Sequence, residues 1–420
     1  MRRIAKTLNP EAVPLKQMIM PMITGILRTK QSMFSFVQEA GLAALMEIFG
    51  QDADQMAGQK GRWNKHRAAF RWGTAPATLP FAGRNLTVPR PRLRTLDGRE
   101  LELPSVKVFQ RADPLAEKVM EQILAGVSCR SYERSLTPPP AGAKSRGASR
   151  SSVSRRLVES TRSKLAAFMT ASLKDVDLVV LMLDGIHLGD HLVVAALGIT
   201  AKGDKLPLGL WQGSTENATV CKELLQNLLD RGLKINGRIL CVIDGGKGLR
   251  RALDEVLGDI ALVHRCQIHK LRNVIGHLPE ARHAYVRQTM TEAYHMTKHA
   301  DALTKLRALA QWLERQGEVS AAASLREGME ETLTVLKLNL PELLRNSLAS
   351  TNAIENLMSA IRRVSRNVKR WRGGEMALRW CAAGVQEAAR HFHRLKGHRH
   401  LPALIAALRP AFIESESKIA

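Results

Sequence analysis

The stretch that decides the fold runs from DLVVLMLDG (177–185) through HLVVAALGIT (191–200), LPLGLWQG (206–213), ATVCKELLQNLLDRG (218–232), RILCVIDGG (238–246) and KGLRRALDEVLG (247–258) to IALVHRC (260–266). Its short apolar runs bounded by Gly, Asp and Pro read as buried strands, and its two longer amphipathic runs read as helices. The first three strands have hairpin-like connections, whereas the last two are reached through helical crossovers. The expected product is an α/β domain, with helices packed on a mixed five-stranded sheet. In that order the first and fourth strands are neighbours. Asp184 and Asp244, 60 residues apart in the chain, then point to one site from adjacent strand ends.

That sheet has the strand order of a ribonuclease-H-like core, and the two acids suit a Mg²⁺ site, which takes few carboxylates and leaves other positions to water and phosphate oxygens. An Asp-Gly pair after a strand is also an ordinary turn signal. A third acid lies in TNAIENLMSAIRRVSRNVKRW (351–371). There Ile354, Leu357, Ile361, Val364 and Val368 form one apolar stripe at helical spacing. Glu355, Ser359, Arg362, Arg363 and Arg366 lie off it. Such a helix can dock on the sheet, deliver a carboxylate and hold backbone phosphates with its arginines. The same residues also fit a solvated helix face, with Thr351 or Asn352 as a plain N-cap.

HRCQIHKLRN (264–273) pairs Cys266 with His269. A structural zinc site needs a second such pair, so a buried packing pair is the ordinary reading, with His269 free to serve the site as a polar group. DGGKGLRRA (244–252) fails as a nucleotide loop. It lacks the Gly-Lys-Ser/Thr ending of a P-loop, and Asp244 would repel pyrophosphate. Trp211 and Trp371 are candidates for base stacking, although packing is the commoner fate of tryptophan.

Outward from this core, 63 Lys+Arg against 39 Asp+Glu give a formal charge of +24. The excess is clustered in 142–164 and 361–400, which favours a polyanionic partner, most simply nucleic acid. No apolar run is long enough to span a bilayer and no leader pattern is read at the amino end. Five scattered cysteines fit reduced thiols, so the expected setting is cytoplasmic, without a membrane. Residues 1–60 read as a helical region and 61–112 as a Pro/Gly-rich connector with hairpins. Residues 113–172 read as three helices of a helix-turn-helix-like DNA reader, with Arg155 and Arg156 on its last helix. The catalytic domain is expected at 173–277 and 347–400, split by a helical insertion at 278–346, with a tail at 401–420.

With these residues in view, the chain resembles the Mutator-family transposases of bacterial insertion sequences, members of the DDE superfamily. LMLDGIHLGDHLVVAALGIT, LPLGLWQGSTENATVCKELL, VIDGGKGLRRAL, RCQIHKLRNVIGHLP and TNAIENLMSAIRRVSRNVKRWRGG match that family's motifs in order, and GVSCRSYERSL extends the match upstream. The resemblance implies a ribonuclease-H-like domain in which Asp184, Asp244 and Glu355 are catalytic and hold two Mg²⁺ ions, with Mn²⁺ able to substitute. Cys266, His269 and Asn352 would support the site. Arg362, Arg363, Arg366, Lys369 and Arg370, with Arg155 and Arg156, would contact DNA. The implied activity is cleavage at the transposon end and transfer of the freed 3′ hydroxyl, by at least a dimer on double-stranded DNA near the bacterial nucleoid. A nuclease without strand transfer and a catalytically silent DNA-binding regulator are the competing readings.

Overall fold

The structure, a computed structural model, describes residues 33–62, 69–111, 114–140, 143–213 and 218–409. The chain divides into two compact units, residues 1–160 and 161–420. Among the described residues no helix is long and apolar enough to cross a membrane.

The first unit opens with α1 (Met33–Ala57), followed by β1 (Ala69–Phe81) and β2 (Arg84–Thr95). These strands form an antiparallel hairpin in which Phe81 pairs with Arg84. The two turn residues, Ala82 at φ 47° and Gly83 at φ 83°, are both left-handed, the conformation that matches strand twist in a two-residue hairpin. β3 (Glu100–Leu101) adds to β2 and is followed by α2 (Pro104–Arg111). Phe49 and Ala53 of α1, Leu79 and Leu86 of the hairpin, and Leu103 share one buried cluster. The Pro/Gly-rich connector is therefore a packed sheet. Its prolines Pro89 and Pro91 lie between the two short partners of β2, where one edge demands no ladder donor.

The region expected to be a three-helix reader contains α3 (Pro114–Leu124), α4 (Tyr132–Ser135), β4 (Lys144–Arg146) and α5 (Arg150–Thr170). α4 is only one turn. Its fully buried Tyr132 donates its hydroxyl proton to the Gly83 carbonyl at 2.9 Å, so this segment is tied to the hairpin turn. β4 pairs with β2 at Leu86 and its neighbours, a strand inside a region read as helical from sequence.

In the second unit, β5 (Leu178–Leu188), β6 (His191–Thr200) and β7 (Lys205–Gly213) form an antiparallel meander, and α6 (Ala218–Asp230) leads into β8 (Ile239–Ile243). α7 (Lys247–Val256) then leads to β9 (Ala261–Arg265). The sheet order is β7-β6-β5-β8-β9, with β5, β8 and β9 parallel. This is the mixed five-stranded sheet expected from the sequence, with the first and fourth strands adjacent. Alternate residues divide its two faces. Leu181, Leu183, Ile239, Cys241 and Ile243 pack under α6 and α7, in a cluster with Leu224 and Leu253. Val180, Met182, Leu240 and Val242 face the other layer.

After β9 come α8 (Gln267–Ile275), α9 (Glu280–His295), α10 (His299–Arg315) and α11 (Val319–Arg326), which share their own apolar core with Leu333 and Leu336. α12 (Thr334–Lys337) and α13 (Glu342–Leu348) do not belong wholly to that excursion. Val335, Leu340, Leu344 and Leu348 are part of the sheet core. The stretch expected as a helical insertion thus contributes Val335, Leu340 and Leu344 to the sheet core. Its return is fastened to its departure: Gln267 Nε2 donates to the Thr332 carbonyl at 2.9 Å, the Thr334 hydroxyl to the Val263 carbonyl at 2.7 Å, and the Gln267 N–H to the Ala349 carbonyl at 3.0 Å.

α14 (Asn352–Ser365) and α15 (Gly374–Ala389) cover the sheet, and α16 (Leu401–Leu408) closes the layer. Ile354, Leu357 and Ile361 are fully buried and Val364 is nearly so, whereas Val368 lies beyond the helix and is half-buried. Burying each such side chain stabilises by about 1.5–3 kcal/mol. Residues 401–408 are not a tail: Leu401, Leu404 and Leu408 enter the core, and Arg409 donates to the Asp177 carboxylate at 2.7 Å. The rest of the expected tail, 410–420, and residues 1–32 of the expected amino-terminal region lie outside the described residues.

Candidate active site

The sheet register brings the two aspartates together. Met182 pairs with Val242 across the parallel β5–β8 ladder, and Asp184 and Asp244 each follow two residues later. Parallel neighbours run about 5 Å apart, and a two-residue step returns to the same face. Both acids therefore share the face of Met182 and Val242, the one covered by α14. Asp184 does not close its strand, however. β5 continues to Leu188 because its hairpin with β6 extends four pairs further, from Asp184↔Ala195 to Leu188↔His191.

Asp244 follows β8, and its Oδ1 accepts the Gly246 N–H at 2.8 Å. Gly245 between them has φ 104°, a conformation a side chain would strain, so the glycines of this motif shape the turn that carries the acid. The Gly185 N–H donates to Asp184 Oδ1 at 2.9 Å. Burial pushes the Asp184 carboxyl up to about 6, and the charges of Asp244 and Glu355 push in the same direction, against Gly185 and His269. Asp184 is thus repelled by both other acids in a partly desolvated setting, a cost that a divalent cation relieves.

Glu355 sits in the first turn of α14, and the burial of Ile354 and Leu357 fixes the side of the helix on which it emerges. Its Oε1 accepts the Thr351 hydroxyl proton at 2.8 Å. The same hydroxyl oxygen lies 3.3 Å from His269 Nδ1 and 3.4 Å from Cys266 Sγ. Thr351 occupies the N-cap position of α14 but makes no side-chain cap; its hydroxyl faces Glu355 instead. Cys266 follows β9, with its N–H on the Ile243 carbonyl at 2.8 Å, so it stands beside Asp244. Burial acts to push the Cys266 thiol up, but the hydrogen bonds of His269 and Thr351 outweigh it and hold the thiol below its ordinary value. His269 is held above its ordinary value by the hydrogen bond to Cys266 against its burial, with the charges of Cys266, Glu355 and Asp244 adding to the rise.

Cys266 Sγ, His269 and Glu355 place their potential ligand atoms within 4.8 Å of one another, and no other such trio occurs among the described residues. Asp184 and Asp244 stand outside it, near enough for the charges of Glu355, His269 and Asp244 to register on Asp184 and for that of Asp244 to register on His269. Thr351 already satisfies the trio by hydrogen bonding, so its geometry is that of a support for Glu355.

The remaining expected residues divide. Asn352 is exposed, with no side-chain partner among the described residues. Arg362, Arg363, Arg366, Lys369 and Arg370 are all exposed, and none forms an ion pair among the described residues. Arg155 is exposed on α5, but Arg156 is half-buried and donates to the Gly147 carbonyl at 2.6 Å, which gives it a structural task. Trp211 donates its indole N–H to Glu223 at 2.8 Å and packs against the core. Trp371 packs against the core and lies over Gly189, so both tryptophans are occupied. Sequence reasoning treats Thr351 only as a cap. Its position four residues before Glu355, on the same helical side, is the signal that was available.

Comparison with known proteins gives the class: the sequence resembles transposases. It matches the family described as "Transposase, Mutator family" over residues 28–394, and the chain belongs to that family. It is 28% identical to the transposase for insertion sequence element ISRM5 of Rhizobium meliloti (strain 1021), over 87% of this chain and 90% of that protein. It is also 28% identical to the transposase for insertion sequence element IS256 in transposon Tn4001 of Staphylococcus aureus, over 40% of this chain and 42% of that protein. A third relative, the transposase for insertion sequence element IS6120 of Mycolicibacterium smegmatis, is 27% identical over 60% of this chain and 78% of its own.

Proposed function

We propose that this chain is a DDE transposase with a ribonuclease-H-like core, which binds the terminal inverted repeats of an insertion sequence and carries out metal-dependent strand cleavage and strand transfer. The observation that supports it most is the β5–β8 register, which sets Asp184 beside Asp244 on the face where α14 carries Glu355. The donor chemistry fits hard divalent cations: carboxylate oxygens whose charges oppose one another at Asp184. Asp184, Asp244 and Glu355 would hold two Mg²⁺ ions, or Mn²⁺ in their place. When bound, such ions supply Lewis-acid activation of the attacking oxygen and charge stabilisation of the departing one.

The protein's own groups do the rest. Gly185 and Gly246 fix the rotamers of the two aspartates by donating to one oxygen of each. Thr351 holds Oε1 of Glu355, and Cys266 and His269 hold Thr351, so the third carboxylate is oriented before substrate arrives. The unpaired cations Arg362, Arg363, Arg366, Lys369 and Arg370 bind backbone phosphates flanking the reacting bond. Arg155 reads or grips the terminal repeat from the first unit, and synapsis of two ends requires at least a dimer on DNA. The reaction takes place in the bacterial cytoplasm, at the nucleoid.

The test is cleavage and strand transfer on a labelled duplex carrying the element's own end, with Mg²⁺ or EDTA, for wild type, Asp184→Ala, Asp244→Ala and Glu355→Ala. Metal-dependent products lost in all three variants, with end binding retained, are expected. Variants that cleave like wild type would sink the assignment.

A further inference from the structure

Beyond the three acids, the second unit contains a cavity of about 380 Å³ bordered by the start of β7, the polar side of α14 and the segment after α15. Its polar lining is Lys205, Asn356, Ser359, Arg363, His391 and His393, and no carboxylate lines it. Lys205 is half-buried, and burial holds its ammonium below the ordinary value with no opposing charge to restore it. The acid next to it in sequence, Asp204, is turned away to Arg394, with Nε 3.0 Å from Oδ1. His391 has one ring nitrogen committed to the Glu387 carbonyl at 3.0 Å, so only Nε2 remains for a ligand. A partly desolvated ammonium without a counter-ion is costly, and here an exposed guanidinium, an amide and a hydroxyl are gathered around it.

The position of the cavity identifies the anion. On a helix, Ser359 lies one turn beyond Glu355 on the same side, about 6 Å along the axis, and Arg363 another turn on, at about 12 Å. A strand whose reacting phosphodiester lies at Glu355 and which follows the polar side of α14 passes the mouth of this cavity. We propose that the cavity binds one backbone phosphodiester of the DNA strand flanking the cleavage site, with Lys205 as its half-buried cation and Ser359, Asn356 and Arg363 as donors. The inference rests on the DNA-cleaving reading of the neighbouring acids and adds to it a recessed anchoring point that no single stretch of sequence encodes.

Two measurements on the full chain test it. In the first, binding of an end-bearing duplex is followed against salt for wild type and Lys205→Ala. Loss of one phosphate contact is expected to reduce the slope of log K against log salt by about 0.9. An unchanged slope with a correctly folded variant overturns the inference. In the second, which needs no variant, the rate of acetylation of Lys205 in wild type is read by mass spectrometry alone, with duplex, and with inorganic phosphate. Protection by duplex but not by inorganic phosphate is expected. No protection by a duplex that is bound overturns the proposal, and equal protection by inorganic phosphate marks a small-anion site instead. If wild type cleaves its end DNA while Lys205 behaves indifferently, only this inference falls; if wild type binds no duplex at all, the functional reading falls with it.

Discussion

Replacing Asp184 by asparagine should make the metal-free protein more stable while abolishing cleavage. The Asp184 carboxyl ionises near pH 6 instead of at 3.8, because burial and the charges of Asp244 and Glu355 oppose its ionised form. At 1.36 kcal/mol per pH unit, keeping it ionised at pH 7 costs the folded state about 3 kcal/mol. Asparagine retains an oxygen for the Gly185 N–H and carries no charge, so a gain of about 2–3 kcal/mol is expected in EDTA. The sign follows from linkage. The native pKa lies above the unfolded one, so the penalty is absent below pH 3.8, grows above it and is complete above about 6. The difference between variant and wild type should accordingly fall to about half by pH 5. Urea unfolding of both proteins at the two pH values, in EDTA, measures it. An asparagine variant no more stable than wild type at pH 7, or a gain equal at both pH values, would refute the account of repelling acids in a desolvated site.

Three further outcomes are expected. Thr351→Val, close to isosteric, should lower cleavage by about 10–100-fold at limiting Mg²⁺ by freeing Glu355 Oε1, and Thr351→Ser should restore most of it; equal activity of Val and Ser variants would contradict the support role. His264 is fully buried and held down to about 4, so the stability that its neutral form allows is complete above pH 6.5 and is lost as pH falls toward 4. His264→Leu should therefore flatten the acid limb of the wild-type stability curve by about 3 kcal/mol over that range, read as the difference between the two proteins. Arg155→Ala should weaken duplex binding and reduce the salt slope by about one without changing the melting temperature, whereas Arg156→Ala should lower the melting temperature because it releases the Gly147 carbonyl.

The central sheet was legible because its strands are unbroken apolar runs buried on both faces, and short or helical connections leave few ways to order them. The convergence of Asp184 and Asp244 came with that order. The continuation of β5 past Asp184 was not legible, since GIHL is no stronger a strand than many loops and is held by pairing with β6. Thr351 was hidden for a different reason: its hydroxyl meets Cys266 and His269, which lie 85 and 82 residues away in the chain. α16 carries Leu401, Leu404 and Leu408 at helical spacing, yet only the core that receives them distinguishes a docked helix from an amphipathic tail. Around Tyr132 the helix is a single turn, and the side chain is tied to the hairpin turn by its bond to the Gly83 carbonyl, a contact made between residues far apart in the chain. The phosphate cavity draws on β7, α14 and the segment after α15, and such a meeting leaves no local pattern.

The joined ends of the excursion formed by α9 to α11 separate the size of that segment from the placement of Glu355. Because residues 263–267 are hydrogen-bonded directly to residues 332–349, the distance between the two anchor points is fixed by the sheet and not by the contour length between them. Lengthening a flexible linker between fixed ends costs only about 0.6 kcal/mol per doubling. The segment from α9 to α11 is thus free to grow, shrink or be exchanged for another folded module while α8 keeps His269 in place and Glu355 stays over the sheet.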